Sequence, residues 1–206
     1  MGQSLRFRPD ADKVCRQVYY ADERVVPLDD KDSNHKLCMD VLFSKVTIPS
    51  ENIHHIDTTH LDDLEELADE YEQQLASGFG SKDSARFPVF DVILLGLGPD
   101  GHTASLFPGN RLLVEQGRWV AYLEDSPKPP PKRITLTYPV INHANKIAFV
   151  ATGESKQDVL AEIMDNPADH SFPASRVHPA NNGQLFWFVD NAASAKVKYE
   201  KSGFEL

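Results

Sequence analysis

Residues Asp91 to Gly109 read DVILLGLGPDGHTASLFPG. Within this stretch Gly96-Leu97-Gly98-Pro99-Asp100-Gly101 fits the pattern G-x-G-x-x-G, directly after the apolar run Phe90 to Leu95. Apart from Asp91, that run has the composition of a strand buried on both faces. The glycine spacing invites a dinucleotide-binding reading, but three features oppose it. The helix expected after Gly101 has only a few residues before Pro108-Gly109, whereas a dinucleotide crossover needs a longer one. Asp100 puts a carboxylate where a pyrophosphate would rest, and like charges repel there. The loop also falls mid-chain, after other strand–helix units. Glu124 and Asp125 stand roughly where a ribose-binding acid would lie, yet a lone glycine pattern is weak and the dinucleotide reading is set aside.

What the loop does offer is His102, expected at a helix N-terminus beside Asp100 and past the carboxyl end of a strand. Open α/β sheets bind ligands at that edge. An imidazole titrates near neutral pH and can take a proton from water. The glycines would let a substrate approach the backbone and leave N–H groups for an anion. The bland alternative is a capping histidine in a tight turn.

Working outward, Val18-Tyr19-Tyr20-Ala21 is a short β-rich run that breaks off at Asp22-Glu23-Arg24. Asp32-Ser33-Asn34 can cap a helix with Leu37, Val41 and Leu42 on one face. Ile53 to Ile56 reads as another short strand. Leu61, Leu64, Leu67, Ala68, Tyr71 and Leu75 recur at three- and four-residue steps. They define the clearest helix, with acids near its start and Gly78 and Gly80 at its end. Further strands are expected at Trp119 to Leu123, Ile147 to Val150 and Leu185 to Val189. Ser155 should cap a helix after Thr152-Gly153, and a last helix should close the chain around Ala192 to Val197. Strands alternating with helices imply one α/β domain over residues 1 to 206, with a mostly parallel sheet covered on both sides.

The chain has 206 residues, 41% of them hydrophobic and 25% charged, the profile of an ordinary globular protein. No apolar run approaches the roughly 20 residues of a membrane span, so no membrane partner is expected. A net charge of −10 argues against nucleic acid, which needs a basic footprint. An anionic small molecule then requires a local basic cluster. Two cysteines without a CxxC spacing favour a reducing, cytoplasmic setting. His54-His55 and Asp57 lack a completing ligand set, so no metal is expected.

GLGPDGHTASLFPG closely resembles the signature of the 6-phosphogluconolactonase family. The similarity extends to Ala21-Asp22-Glu23-Arg24 with Val26-Pro27, Asp32-Ser33-Asn34, Pro131 to Thr137, and Thr152-Gly153-Glu154-Ser155-Lys156, all in the family's order. The resemblance implies a Rossmann-like domain shared with sugar-phosphate isomerases and amino-sugar-phosphate deaminases. It further implies hydrolysis of a phosphorylated sugar lactone, 6-phosphogluconolactone, in the oxidative pentose phosphate pathway, with no cofactor. On that resemblance His102 is the base, with Asp100 and Asp22 orienting or polarising around it. Arg24 stabilises charge near the reacting carbonyl or orients the acids. Arg133 and Lys156 hold the phosphate, and Gly98 and Gly101 admit the substrate.

Each residue has a structural alternative. Asp22 and Arg24 also fit a solvated pair at a strand end, and Arg133 a surface loop residue. Pro127 to Lys132 fits PxxPx[KR], a peptide-recognition pattern that short proline runs often match by chance. Ser105-Leu106-Phe107-Pro108 follows the lactonases, whereas deaminases resemble Phe-Asn-Glu-Pro there. The family pattern is departed from at the N-terminus: residues 1 to 17 contain no Gly-Gly and no strand of the usual first βαβ unit. A sheet built without that unit is expected to be N-terminally incomplete and to expose apolar surface, and a catalytically weak paralogue is the corresponding alternative. Oligomeric state is not legible.

Overall fold

A computed structural model describes residues 17–79, 87–180 and 182–203. The expectations for residues 1 to 17, Gln17 excepted, and for Gly80 lie outside those residues. Among the described residues, eight strands and four α-helices follow one another along the chain. They are β1 (Val18–Tyr19), β2 (Asp22–Arg24), α1 (Asn34–Val41), β3 (Ile53–His54), α2 (Leu64–Phe79), β4 (Ile93–Gly96), β5 (Val120–Leu123), β6 (Arg133–Leu136), α3 (Tyr138–Ile141), β7 (Lys146–Ala151), α4 (Gln157–Asp165) and β8 (Gln184–Val189). The α/β class with mostly parallel sheets is as the alternation implies. β1 pairs with β3 in parallel, and β4, β7 and β8 form a parallel sheet in that spatial order. An antiparallel sheet ordered β2-β6-β5 was not legible in the sequence.

Helix α2 is built as its periodicity requires. Leu64, Leu67, Ala68, Tyr71 and Leu75 are all buried, facing one core with Trp119, Val120, Ile134, Ile147 and Phe149. Glu72 lies on the same face, and its carboxylate accepts the backbone N–H groups of Trp119 and Val120 at 2.9 and 3.1 Å. A buried carboxylate is tolerated because these donors replace water. The bond ties α2 to the antiparallel sheet.

The parallel sheet has two unlike faces. Ile93, Leu95, Ile147, Phe149 and Ala151 point to the core, while Leu94, Val150, Phe186 and Phe188 are exposed, Leu94 by 68%. The expectation that Phe90 to Leu95 is buried on both faces is therefore corrected: among the described residues β4 is an edge strand whose burial alternates. β8 is likewise only half-buried. Leu37 and Val41 on α1 and Leu42 at its C-cap also stay exposed, although Ser33 caps that helix through Lys36 N–H as expected.

Two expected helix features give way to turns. Among the described residues no helix forms over 192–197: Asp190 accepts from Ala193 N–H through its carboxylate, and from Ser194 through its carbonyl, fixing turns over 191–196. Asp and Ser side chains offer the backbone this alternative to helical bonding. Ser155 does not cap α4. Gly153, at φ 88°, starts a short 3-10 turn over Glu154–Lys156, and its N–H is held by the Asp190 carboxylate.

Candidate active site

β4 and β7 run parallel and adjacent, with Gly96 opposite Val150, so the loops leaving both strands emerge at one edge. The first carries His102 and the second Lys156. The loop after β4 is closed on itself: Gly98 N–H donates to the His102 carbonyl, Gly101 N–H to the Gly98 carbonyl, and Thr103 Oγ1 to the Gly96 carbonyl. His102 is thus held in a tight turn, not at a helix N-terminus as expected. The N–H groups of Gly98 and Gly101 are engaged and do not offer the free anion donors anticipated.

The glycines have other reasons. A Cβ at position 98 would overlap the His102 ring and crowd Asp100 Oδ1, so only glycine lets that pair lie across the backbone. Gly101 adopts φ +80° and a Cβ there would meet Phe172. Gly98 lines the cleft; Gly101 does not, and its fit against Phe172 is a packing role.

His102 Nδ1 lies 2.5 Å from Asp100 Oδ1. Burial raises the Asp100 carboxyl, but hydrogen bonds from His102 and Lys128 outweigh it and bring the pKa down to about 2. An ionised Asp100 can only accept, so Nδ1 carries the proton and Nε2 keeps its lone pair. Among the described residues Nε2 has no protein partner. Burial pushes the imidazole pKa below its usual value; Asp100 opposes this, Lys128 adds to it and Asp22 opposes it. The ring is therefore neutral at pH 7. Phe107 stacks on it with centroids 4.5 Å apart, and the guanidinium carbon of Arg133 lies over the same Phe107 ring, 5.6 Å from its centroid.

The antiparallel sheet supplies the opposite wall. Strand alternation puts Asp22 and Arg24 on one face of β2 and Glu23 on the other. Glu23, fully buried, accepts from the backbone N–H groups of Arg24, Asn34 and His35, fastening β2 to the start of α1. Burial raises its pKa against those bonds. Asp22 Oδ2 accepts from Ser105 Oγ at 2.8 Å and lies 3.9 Å from Arg133 Nη1. Arg24 pairs across strands with Arg133; its Nη1 donates to the Asp32 carbonyl, and its buried Nε–H has no acceptor among the described residues.

Arg133 is a buried strand residue, not a loop surface residue. Its Nε and Nη2 donate to the carbonyls of Pro130, Lys128 and Pro129. The guanidinium thereby fixes the proline-rich loop and has only Nη1 turned toward Ser105 and Asp22. Burial and neighbouring Arg24 lower its pKa, with Asp22 opposing. Lys156 is lowered by burial and by Lys128, with Asp100 opposing.

One cleft of about 320 Å³ collects Asp22, Arg24, Gly98, His102, Arg133 and Lys156, together with Asn34 and Lys128. Asp100 stands behind His102. Sequence reasoning missed Lys128, Asn34 and Ser105. Asn34 enters the sequence reading as a capping residue and within the family-like stretch Asp32-Ser33-Asn34, with no site role, yet its side chain donates to the Asp22 carbonyl. Away from the cleft, Asp57, His60 and Glu70 place ligand-type atoms within 4.8 Å of one another, and His54 and His55 do not join them.

With this geometry in view, the chain belongs to the family described as glucosamine-6-phosphate isomerases/6-phosphogluconolactonase, whose model matches residues 3–187. It is 45% identical to a probable 6-phosphogluconolactonase of Schizosaccharomyces pombe, covering 88% of this chain and 72% of that protein. It is 44% identical to the 6-phosphogluconolactonase of Homo sapiens, covering 88% and 69%. The fold superposes on the 6-phosphogluconolactonase of Trypanosoma brucei with a TM-score of 0.72 at 33% identity, over 85% of this chain and 72% of that one.

Proposed function

We propose that this protein hydrolyses 6-phospho-D-glucono-1,5-lactone to 6-phosphogluconate in the oxidative pentose phosphate pathway. The observation that carries the reading is the Asp100–His102 pair opening, through a free Nε2, on a cleft ringed by cations. Nε2 takes a proton from water as its oxygen attacks the lactone carbonyl carbon. The oxyanion that forms is stabilised by the positive charge of Arg24, which lines the cleft. Collapse breaks the bond from that carbon to the ring oxygen, and the imidazolium returns its proton to the departing oxygen. Asp22 shapes the field around these cations. Lys156, assisted by the Nη1 edge of Arg133, holds the phosphate. The acidic chain disfavours nucleic acid, and among the described residues no helix is long and apolar enough to cross a membrane. Sparse cysteines support a cytoplasmic setting.

The two phosphate-side cations should respond differently to truncation. Lys156→Ala is expected to raise KM for the lactone more than it lowers kcat, since the phosphate does not react. Arg133→Ala should in addition lower the melting temperature, because the Lys128, Pro129 and Pro130 carbonyls lose their donor. Kinetics, product binding by calorimetry and thermal unfolding of both variants check this. A pure kcat loss in Lys156→Ala with unchanged product affinity would reject the anchoring role.

A further inference from the structure

Lys128 was not among the residues that the sequence singled out, yet it reaches the reacting centre. Its Nζ lies 3.1 Å from Asp100 Oδ1 and 3.3 Å from His102 Nδ1. The position is built, not incidental. Ser126 Oγ accepts from Lys128 N–H and donates to its carbonyl, and Ser126 N–H bonds the Pro131 carbonyl. The Arg133 guanidinium holds the same carbonyl and the next two. Proline-restricted backbone, clamped at this many points, fixes where the Lys128 side chain leaves the main chain, and the Asp100 carboxylate then holds its ammonium.

We propose that Lys128 is a positioning residue for the reaction: its ammonium, held beside Asp100 and His102, keeps the His102 Nδ1–H directed at the ionised Asp100 carboxylate and the Nε2 lone pair available to water. The proposal rests on the lactone-hydrolase reading above. Its physics is a three-body arrangement. Asp100 alone would draw His102 toward imidazolium, a form that cannot accept a proton. A cation on the same carboxylate oxygen offsets that pull, and it repels positive charge on the ring. The other charged groups around the shared cleft are Asp22 and Arg24 from β2, Arg133 from β6 and Lys156 from the turn after β7. Lys128 is the cation in hydrogen-bond range of the Asp100–His102 pair.

The test uses Lys128→Met, which keeps the stem and removes the charge, and Lys128→Arg, which keeps the charge. The His102 ring is titrated by NMR in the free protein, its signal assigned as the one missing from His102→Asn. In Lys128→Met the titration should move to higher pH, and Lys128→Arg should bring it back. With the lactone, the acid limb of kcat/KM should move the same way. At neutral pH kcat should fall about 10-fold, short of the 10²–10⁴ expected for loss of the base itself, with KM changed less. An unmoved ring titration overturns the proposal, as does a shift that Lys128→Arg fails to reverse. A raised KM with unmoved titration makes Lys128 a substrate anchor only. If the parent does not hydrolyse the lactone, the functional reading falls, and the ring titration still decides the role of Lys128.

Discussion

His102→Asn is expected to lose about 10²–10⁴-fold in kcat/KM for the lactone, the usual cost of removing a general base. Asparagine keeps a polar side chain of similar reach but has no lone pair of suitable basicity. The sign of the accompanying pH dependence follows from the burial of His102. The base must be neutral to work, and its pKa is lowered from the ordinary 6.5. The parent should therefore hold its kcat/KM through neutrality and lose it on an acid limb below pH 6.5, a limb that the variant lacks. Rates at each pH need correction for spontaneous opening of the lactone. A variant with nearly full corrected activity, or a parent limb above the ordinary imidazole value, removes His102 from the mechanism proposed.

Gly98→Ala should be the second large effect, about 10²-fold in kcat, because displacement of a reacting group by about 1 Å is enough for such a loss. The new methyl would collide with the His102 ring and Asp100 Oδ1, which are side-chain atoms that can swing aside. The fold should survive while the base is pushed off line. Gly101→Ala offers the contrast. There the backbone is left-handed and Phe172 blocks the methyl, so thermal stability should fall. Melting curves and kinetics of both variants separate the two glycines. Similar loss of stability in both would mean that Gly98 serves the turn and not the Asp100–His102 pair.

The glycine contrast also shows what a sequence can and cannot carry. The loop after β4 announced a site because a histidine, an acid and glycines stand together at a strand end. Which glycine serves which purpose depends on Phe172, more than seventy residues away in the chain, and no local pattern contains that. Helix α2 was legible because its burial follows its own 3.6-residue period. β2 was not: three charged residues looked like the end of a strand, yet Glu23 is buried by donors from α1 while Asp22 and Arg24 face the cleft. Lys128 was hidden differently. Its proline-rich surroundings matched a peptide-recognition pattern, whereas the prolines shape a loop whose carbonyls wrap Arg133. The alternating exposure of β4 follows from its place at a sheet edge, which is a property of topology.

The ring of charge also explains how a chain of net charge −10 can take an anionic substrate. Arg24, Lys128, Arg133 and Lys156 converge on one cleft from three separate stretches of the chain, Lys128 and Arg133 sharing one. Their mutual repulsion is moderated by Asp22 and Asp100, which stand among them. A substrate phosphate would relieve the remainder, so affinity for the lactone and its product should weaken as salt rises.

The central claim is tested most directly by adding the purified protein to freshly prepared 6-phosphogluconolactone at neutral pH and following product formation against the spontaneous rate. The account predicts a saturable acceleration proportional to protein concentration, with no ammonia released from glucosamine 6-phosphate under the same conditions. Lactone opening at the spontaneous rate, with ammonia released from the amino sugar, would contradict it.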